Sequence, residues 1–448
     1  MSKSKPIHEP NFWHGMLRSY VGLYIYTFYN RVTVVGKENV PSDKPVILAI
    51  NHQNALMDAL TVHCTLKSQS VFMARADIFR NPIAAKILRF FKILPIFRIR
   101  DGIQSLQNND AVFEEAIGVL LNKKRLAILP EGNHFGQRRL RVLKKGIARI
   151  AFQAEERANF ELGLQIVPVG LDYSNYINFG SDLLVHFGEP FSLIEYKEMY
   201  QENPQKAMNT FMQDLRERMI PQMLNIAEES HYKEVELLKD IYIKHSIYRK
   251  GLDSTHTTVR NNSQQIADKL IAFKETNKEK FDAMAQTGKE ILTDLKKLNF
   301  RMWVPAKSYF PVFWTIIGSL LLVCFFPLFL VGFLFNFPPF YIPVLAASKI
   351  KDPQFVSSIR FVASLLTFTL FYLTYLILFL IFISPFYYAI GAFISLFFLG
   401  LVSYEYYTFF MKNLARWRAF IYKKKENPEW TRLVTNWNEL TAQISNLN

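Results

Sequence analysis

Two stretches without a single charged residue, 308–348 and 361–404, constrain this chain more than any other feature. One helix needs about 20 apolar residues to cross the hydrocarbon core of a bilayer, so each stretch is long enough to enter and return. Half of the 448 residues are hydrophobic and 40 are Phe, which is high for a soluble protein. The second stretch divides at Ser384-Pro385 into 361–383 and 386–404, the pattern of a helical hairpin. The first is interrupted at Pro327 and at Pro338-Pro339. Lys349, Lys351 and Arg360 flank the loop between the stretches, and Lys412, Arg416, Arg418, Lys423, Lys424 and Lys425 crowd the tail. Positive residues favour the cytoplasmic side of a membrane. With the amino-terminal half, the middle loop and the tail all on that side, each stretch must go in and come back. The expectation is two hairpins, the first re-entrant and bent near Pro327, rather than three plain spans.

The formal net charge is +15. A basic surface suits nucleic acid or anionic lipid, and the apolar stretches decide for lipid and against nucleic acid. Cys64 and Cys324 lie far apart, so no structural disulfide is expected, and no metal-ligand spacing exists. Residues 1–10 are polar, and the following aromatic stretch is broken by His14 and Arg18, so no cleavable signal is read. Residues 1–30 are read instead as an interfacial helix lying on the bilayer.

From residue 31 to 195 strand-like and helix-like patterns alternate, which predicts an α/β domain. Strands are expected at 31–35, 45–50, 69–74, 125–129, 165–171 and 183–187, and helices at 55–66, 81–91, 107–122 and 145–158. Residues 203–307 are rich in Lys, Glu, Gln and Asn with helical periodicity at Phe211, Leu215 and Met219. They read as a helical region without a chemical motif. The apolar region then runs over 308–411, and 412–448 is a basic tail placed in the cytoplasm.

The chemistry gathers where apolar runs end. Val46-Ile47-Leu48-Ala49-Ile50 leads into Asn51-His52-Gln53-Asn54-Ala55-Leu56-Met57-Asp58. An imidazole with an ordinary pKa near 6.5 takes a proton at neutral pH, and a neighbouring carboxylate orients it and stabilises its charged form. Six residues at 3.6 per turn put His52 and Asp58 about 240° apart on one continuous helix. They meet only if His52 sits in the loop and Asp58 in an early helical turn. Arg98 and Arg100 follow Leu94-Pro95-Ile96-Phe97, and in an extended segment both point to one face. Their guanidinium forks suit phosphate oxygens. Leu129-Pro130-Glu131-Gly132-Asn133-His134 leaves another apolar run, and Gly132 permits close approach of backbone to a ligand. His134 either binds phosphate or bonds within its loop. Arg138, Arg139, Arg141, Lys144 and Lys145 add a cationic run, and Ile166-Val167-Pro168-Val169-Gly170-Leu171-Asp172-Tyr173 forms a fourth block.

In this order the four blocks resemble those of the glycerolipid acyltransferases: a His-Asp motif, an Arg-bearing block, a Pro-Glu-Gly block and a Val-Pro-Val block. The resemblance covers roughly residues 30–195. It implies a mixed sheet flanked by helices over 31–202. It also implies direct attack of an acceptor hydroxyl on an acyl thioester, without an acyl-enzyme. His52 is then the base and Asp58 its partner. Arg100 holds the acceptor phosphate with Arg98 in support, and Glu131 with Gly132 shapes the acceptor site. Departures from the commoner pattern are the five residues between His52 and Asp58, Leu94 where a glycine is usual, and Asn133-His134 after the Pro-Glu-Gly block. They are similar to the branch typified by fungal enzymes acting on glycerol 3-phosphate and dihydroxyacetone phosphate.

The expected activity is transfer of a fatty acyl group from acyl-CoA or acyl-ACP, as co-substrate and with no cofactor, to a phosphate-bearing glycerol acceptor. The alternatives are a lysophosphatidate acyltransferase and a non-catalytic lipid-binding relative. A bacterial inner membrane, with the catalytic half facing the cytoplasm, is the expected location. A channel is disfavoured because the apolar stretches carry no internal acid or base pair.

Overall fold

A computed structural model describes residues 6–97 and 108–447 and divides the chain into two compact units. The first comprises Met1–Asn225 with Ile350–Ile359, the second Ile226–Lys349 with Arg360–Asn448.

The first unit opens with α1 (Phe12–Phe28), capped by the side chain of Asn11, and then β1 (Arg31–Val35) and β2 (Val46–Ile50). α2 (Ala55–Thr65), β3 (Ser70–Arg75), α3 (Pro82–Phe90) and β4 (Ile93–Ile96) follow. Next come α4 (Asn108–Leu121), β5 (Arg125–Ile128), α5 (Gly146–Arg157), β6 (Gln165–Tyr173), β7 (Asp182–Phe187) and the short β8 (Phe191–Ser192). α6 (Lys197–Glu202) and α7 (Pro204–Met219) close the run. The six strands and four helices expected from periodicity are present, each end within two residues; β4 and β8 are additional.

The strands lie in the order β1-β7-β6-β2-β5-β3-β4, with β8 on β6. All pairs are parallel except β6 with β7 and β6 with β8, so the sheet is mixed as expected. Every residue of β2 is buried, which is why its sequence is a continuous apolar run rather than an alternating one. Ile47, Ala49, Leu126 and Ile128 join Ile117 and Leu120 of α4, Ile150 and Phe152 of α5, and Phe211, Leu215 and Met219 of α7 in one core. α1 turns Val21, Ile25 and Phe28 inward and leaves Phe12, Trp13, Met16, Leu23 and Tyr26 exposed.

β2, β5 and β6 run parallel and side by side, so their carboxyl ends share one edge of the sheet. The residues that follow β2 and β5 there are His52 and Glu131. That edge is where open α/β sheets put their ligands, because the loops leaving the strands converge there.

The second unit contains α8 (Tyr232–Arg249), α9 (His256–Thr276), α10 (Lys278–Lys297), α11 (Trp303–Lys307), α12 (Val312–Ser348), α13 (Pro353–Phe382, whose first turns belong to the first unit), α14 (Phe386–Lys424) and α15 (Pro428–Ser445). Leu238 and Ile241 of α8, Leu270 of α9, Phe281 and Ile291 of α10 and Val304 of α11 share a core with Trp437 and Leu440 of α15. The tail thus folds back as α15 and completes the helical region.

α12, α13 and α14 are each long and apolar enough to cross a membrane. The expected break at Ser384-Pro385 separates α13 from α14. The hairpin expected within the first stretch, turning near Pro327, is corrected. The first stretch is one helix of 37 residues that runs through Pro327, Pro338, Pro339 and Pro343. A proline removes the hydrogen bond to the carbonyl four residues earlier, and in a membrane helix side chains from neighbouring helices can restore it. Tyr375 donates its hydroxyl to the Phe335 carbonyl, freed by Pro339, at 3.0 Å. Thr367 donates to the Pro339 carbonyl, freed by Pro343, at 2.8 Å.

Candidate active site

As β2 leaves the sheet, Asn51 ties its exit to β6. The buried amide donates to the Leu171 carbonyl at 3.1 Å and accepts from the Leu171 N–H at 2.6 Å. This fixes where the next residue begins. His52 sits in the loop, and its Nδ1 lies 2.9 Å from Oδ2 of Asp58, which stands in the first turn of α2. The placement is the one that the six-residue spacing demanded.

Asp58 is fully buried, and a buried carboxylate needs donors to replace its water. It has four. Oδ2 accepts from His52 Nδ1, from the Gln53 N–H at 2.8 Å and from the Asn54 N–H at 2.7 Å. Oδ1 accepts from the Tyr173 hydroxyl at 2.9 Å. Burial, with Asp58 beside it, pushes the Tyr173 phenol far up, so it remains a neutral donor. The carboxylate therefore orients the His52 Nδ1–H, and the basic position of the ring is Nε2.

Glu131 is 2% exposed and bridges two blocks. Oε1 accepts from the His52 N–H at 2.7 Å and Oε2 from the Arg141 N–H at 3.0 Å. Burial raises its pKa, and these two bonds oppose the rise. Gly132 adopts a left-handed φ of 73°, which favours glycine. The turn lets the Lys144 N–H reach the Pro130 carbonyl at 2.7 Å. His134 stands edge-on to His52, ring centroids 5.5 Å apart, and its Nε2 is 3.2 Å from Oδ2 of Asp352. Burial holds its pKa below the ordinary value, partly offset by Asp352. Arg138 donates to the Tyr173 carbonyl at 2.6 Å and lies 3.4 Å from Asp172, which joins the cationic run to the fourth block.

Thus His52, Asp58, Glu131, Gly132 and His134 are brought together. Arg98 and Arg100 lie outside the described residues. The chain leading to them is held at Phe97, whose N–H and carbonyl both bond the side chain of Asn109, at 2.9 and 2.8 Å. Sequence reasoning did not single out Asn51, whose only signal is being the first polar residue after an apolar strand. Nor did it assign Tyr173 to Asp58. Asp352 had no signal at all, since it lies 218 residues beyond His134.

Residues 31–172 match the family model described as Acyltransferase. The chain is 25% identical over 195 residues to a 1-acyl-sn-glycerol-3-phosphate acyltransferase of Borreliella burgdorferi, over 42% of this chain and 72% of that protein. It is 28% identical over 109 residues to glycerol-3-phosphate O-acyltransferase 2 of Saccharomyces cerevisiae, over 24% of this chain and 14% of that protein. A solved structure of the 1-acyl-sn-glycerophosphate acyltransferase PlsC from Thermotoga maritima aligns with a TM-score of 0.32 at 19% identity, over 45% of this chain and 79% of that one. The first unit of the chain carries an acyltransferase-family domain, spanning residues 31–172.

Proposed function

We propose that this chain is a membrane-bound O-acyltransferase that moves a fatty acyl group from acyl-CoA or acyl-ACP to a hydroxyl of glycerol 3-phosphate or dihydroxyacetone phosphate. The observation that carries the reading is the His52–Asp58 pair, 2.9 Å apart, at the carboxyl edge of the sheet within an acyltransferase-family domain. Nε2 of His52 takes the proton of the acceptor hydroxyl as its oxygen attacks the thioester carbonyl. The tetrahedral intermediate collapses, the C–S bond breaks, and the imidazolium returns the proton to the leaving thiolate. Asp58 stabilises the imidazolium between the two steps. Direct transfer is favoured over a cysteine acyl-enzyme, because burial pushes the Cys64 thiol up to about 12 and removes the thiolate.

Arg100, with Arg98 in support, takes the acceptor phosphate in this reading. The three apolar helices support a bilayer location, and the exposed aromatics of α1 support its lying on the bilayer surface. The bacterial inner membrane, with the catalytic unit on the cytoplasmic side, suits a donor made in the cytoplasm.

A second reading, transfer to lysophosphatidate, is favoured by the name of the relative from Borreliella burgdorferi. Purified membranes assayed with glycerol 3-phosphate, dihydroxyacetone phosphate and lysophosphatidate in parallel decide between them. His52→Ala should remove activity by roughly 10²–10⁴-fold. Arg100→Ala should raise the acceptor KM far more than the donor KM, with lysine rescuing only in part because it lacks the bidentate fork. Turnover confined to lysophosphatidate selects the second reading. Near-normal turnover by a folded His52→Ala protein overturns both.

A further inference from the structure

Residues 350–359 lie between α12 and α13 in sequence, yet they belong to the first unit. Four contacts seat them there. Asp352 Oδ2 meets His134 Nε2 at 3.2 Å. The Phe355 ring stands edge-on to His134, centroids 4.7 Å apart. The Ser357 hydroxyl donates to Oδ1 of Asn54 at 2.6 Å, and both residues are at most 2% exposed. Gln354 packs so tightly on Gly136 that a Cβ there would come within 2.9 Å of its amide nitrogen. The partners are not scattered. Asn54 is in the His52–Asp58 loop, where its N–H bonds Asp58. His134 and Gly136 are in the loop after Glu131.

We propose that this segment is a wall of the acceptor pocket, and that Asp352 is a positioning residue that sets His134 to contact the acceptor. The inference rests on the acyl-transfer reading above. Asp352 suits the task because its two oxygens are divided. Oδ1 accepts from the Gln354 N–H at 3.1 Å and so caps α13, while Oδ2 receives the imidazole. With the Nε2–H committed to Asp352, Nδ1 is left as an acceptor for a hydroxyl of the phosphate-bearing acceptor. His134 is near enough to His52 for one small molecule to touch both rings. Phe355 packs edge to face against the imidazole and restricts its rotation. The ligand assigned is the phosphate-bearing acceptor, not the acyl donor.

A double-mutant cycle on the full-length protein tests this, with kcat and both KM values measured for wild type, His134→Ala, Asp352→Ala and the double variant. Asp352→Ala should raise the acceptor KM roughly tenfold, the scale of one lost hydrogen bond, and leave the donor KM within about twofold. Asp352→Glu should restore part of the loss, and the double variant should be no worse than His134→Ala alone. Additive effects, or a rise confined to the donor KM, overturn the proposal. Seating is tested without turnover by Gly136→Cys with Gln354→Cys in a background lacking Cys64 and Cys324. A disulfide should form on mild oxidation, and its absence counts against the wall. A wild type inert on every phosphate-bearing acceptor sinks the acyl-transfer reading and this one with it. An active wild type with an additive cycle sinks this one alone.

Discussion

Asp58 receives four hydrogen bonds, and only one of them comes from the histidine it orients. The other three hold the loop in shape, so the residue has a catalytic and a structural share. Asp58→Asn separates them. The amide keeps the size but turns an NH2 group toward one set of donors and cannot stabilise imidazolium. kcat is expected to fall roughly 10²–10⁴-fold, and the pH–rate profile should change. An unmoved profile with weakened folding would leave Asp58 purely structural. At this scale the sequence was informative where chemistry and spacing coincide. His52 with Asp58 could be placed from helix geometry alone. Asn51 and Tyr173 could not be given their roles, because those depend on β6 lying beside β2, which spacing along one chain does not encode. Glu131 was legible as a site residue, but not as the clamp that holds the backbone on both sides of it.

Elements carry two further expectations. α1 and α2 meet through His14 and His63, whose rings lie 5.3 Å apart edge to face. Burial brings His63 down to about 3 and His14 down to about 4, with Arg18 adding to both. A histidine depressed in the folded state binds its proton more readily when unfolded. Stability from this pair is therefore full above the ordinary value near 6.5, and it is lost as pH falls toward the folded values. Melting of the detergent-solubilised protein should drop between pH 6.5 and 4, and His63→Phe should flatten that drop. A wild-type melting temperature constant over that window would contradict the shift. In the apolar region, Tyr375→Phe and Thr367→Val should each cost about 0.6 kcal/mol and at most about 1.7, since each removes one hydroxyl bond to a carbonyl of α12. Refolding from mixed micelles would measure it, and no loss in either variant would argue that the prolines need no such support. The prolines also show why the first apolar stretch was misread. In water a proline without help breaks a helix, whereas at Pro339 and Pro343 the help comes from α13, some tens of residues on.

For the whole molecule, the second unit sets a topological rule. Residues of α8 to α11 and of α15 lie in one core, so the start of α12 and the end of α14 lie on one side of any membrane these helices enter. α12 and α14 pack antiparallel: Gly318 meets Asn413, and Gly332 meets Leu399 and Ser403. Cysteines placed singly at Lys297 and Lys425, in a background lacking Cys64 and Cys324, should therefore react with an impermeant reagent from the same face. The charge of the tail predicts the cytoplasmic one. Labelling from opposite faces would refute the shared core. The sequence showed the apolar stretches and their charged flanks plainly. It did not show that Trp430, Leu433 and Trp437 of the tail are core residues, because a helix whose apolar residues are interspersed with Glu, Arg, Thr and Asn reads much like a solvated one.

That shared core also has a timetable. A ribosome makes α8 to α11 first, then all of α12, α13 and α14, and only then the helix that fills the remaining gap. At roughly 5–20 residues per second the interval is on the order of ten seconds. Through it the early helices expose the apolar surface that Trp437 will cover, while the membrane segments are being threaded into lipid. Insertion must come before closure, so a stalled or truncated nascent chain would be seen by chaperones and proteases as an open bundle.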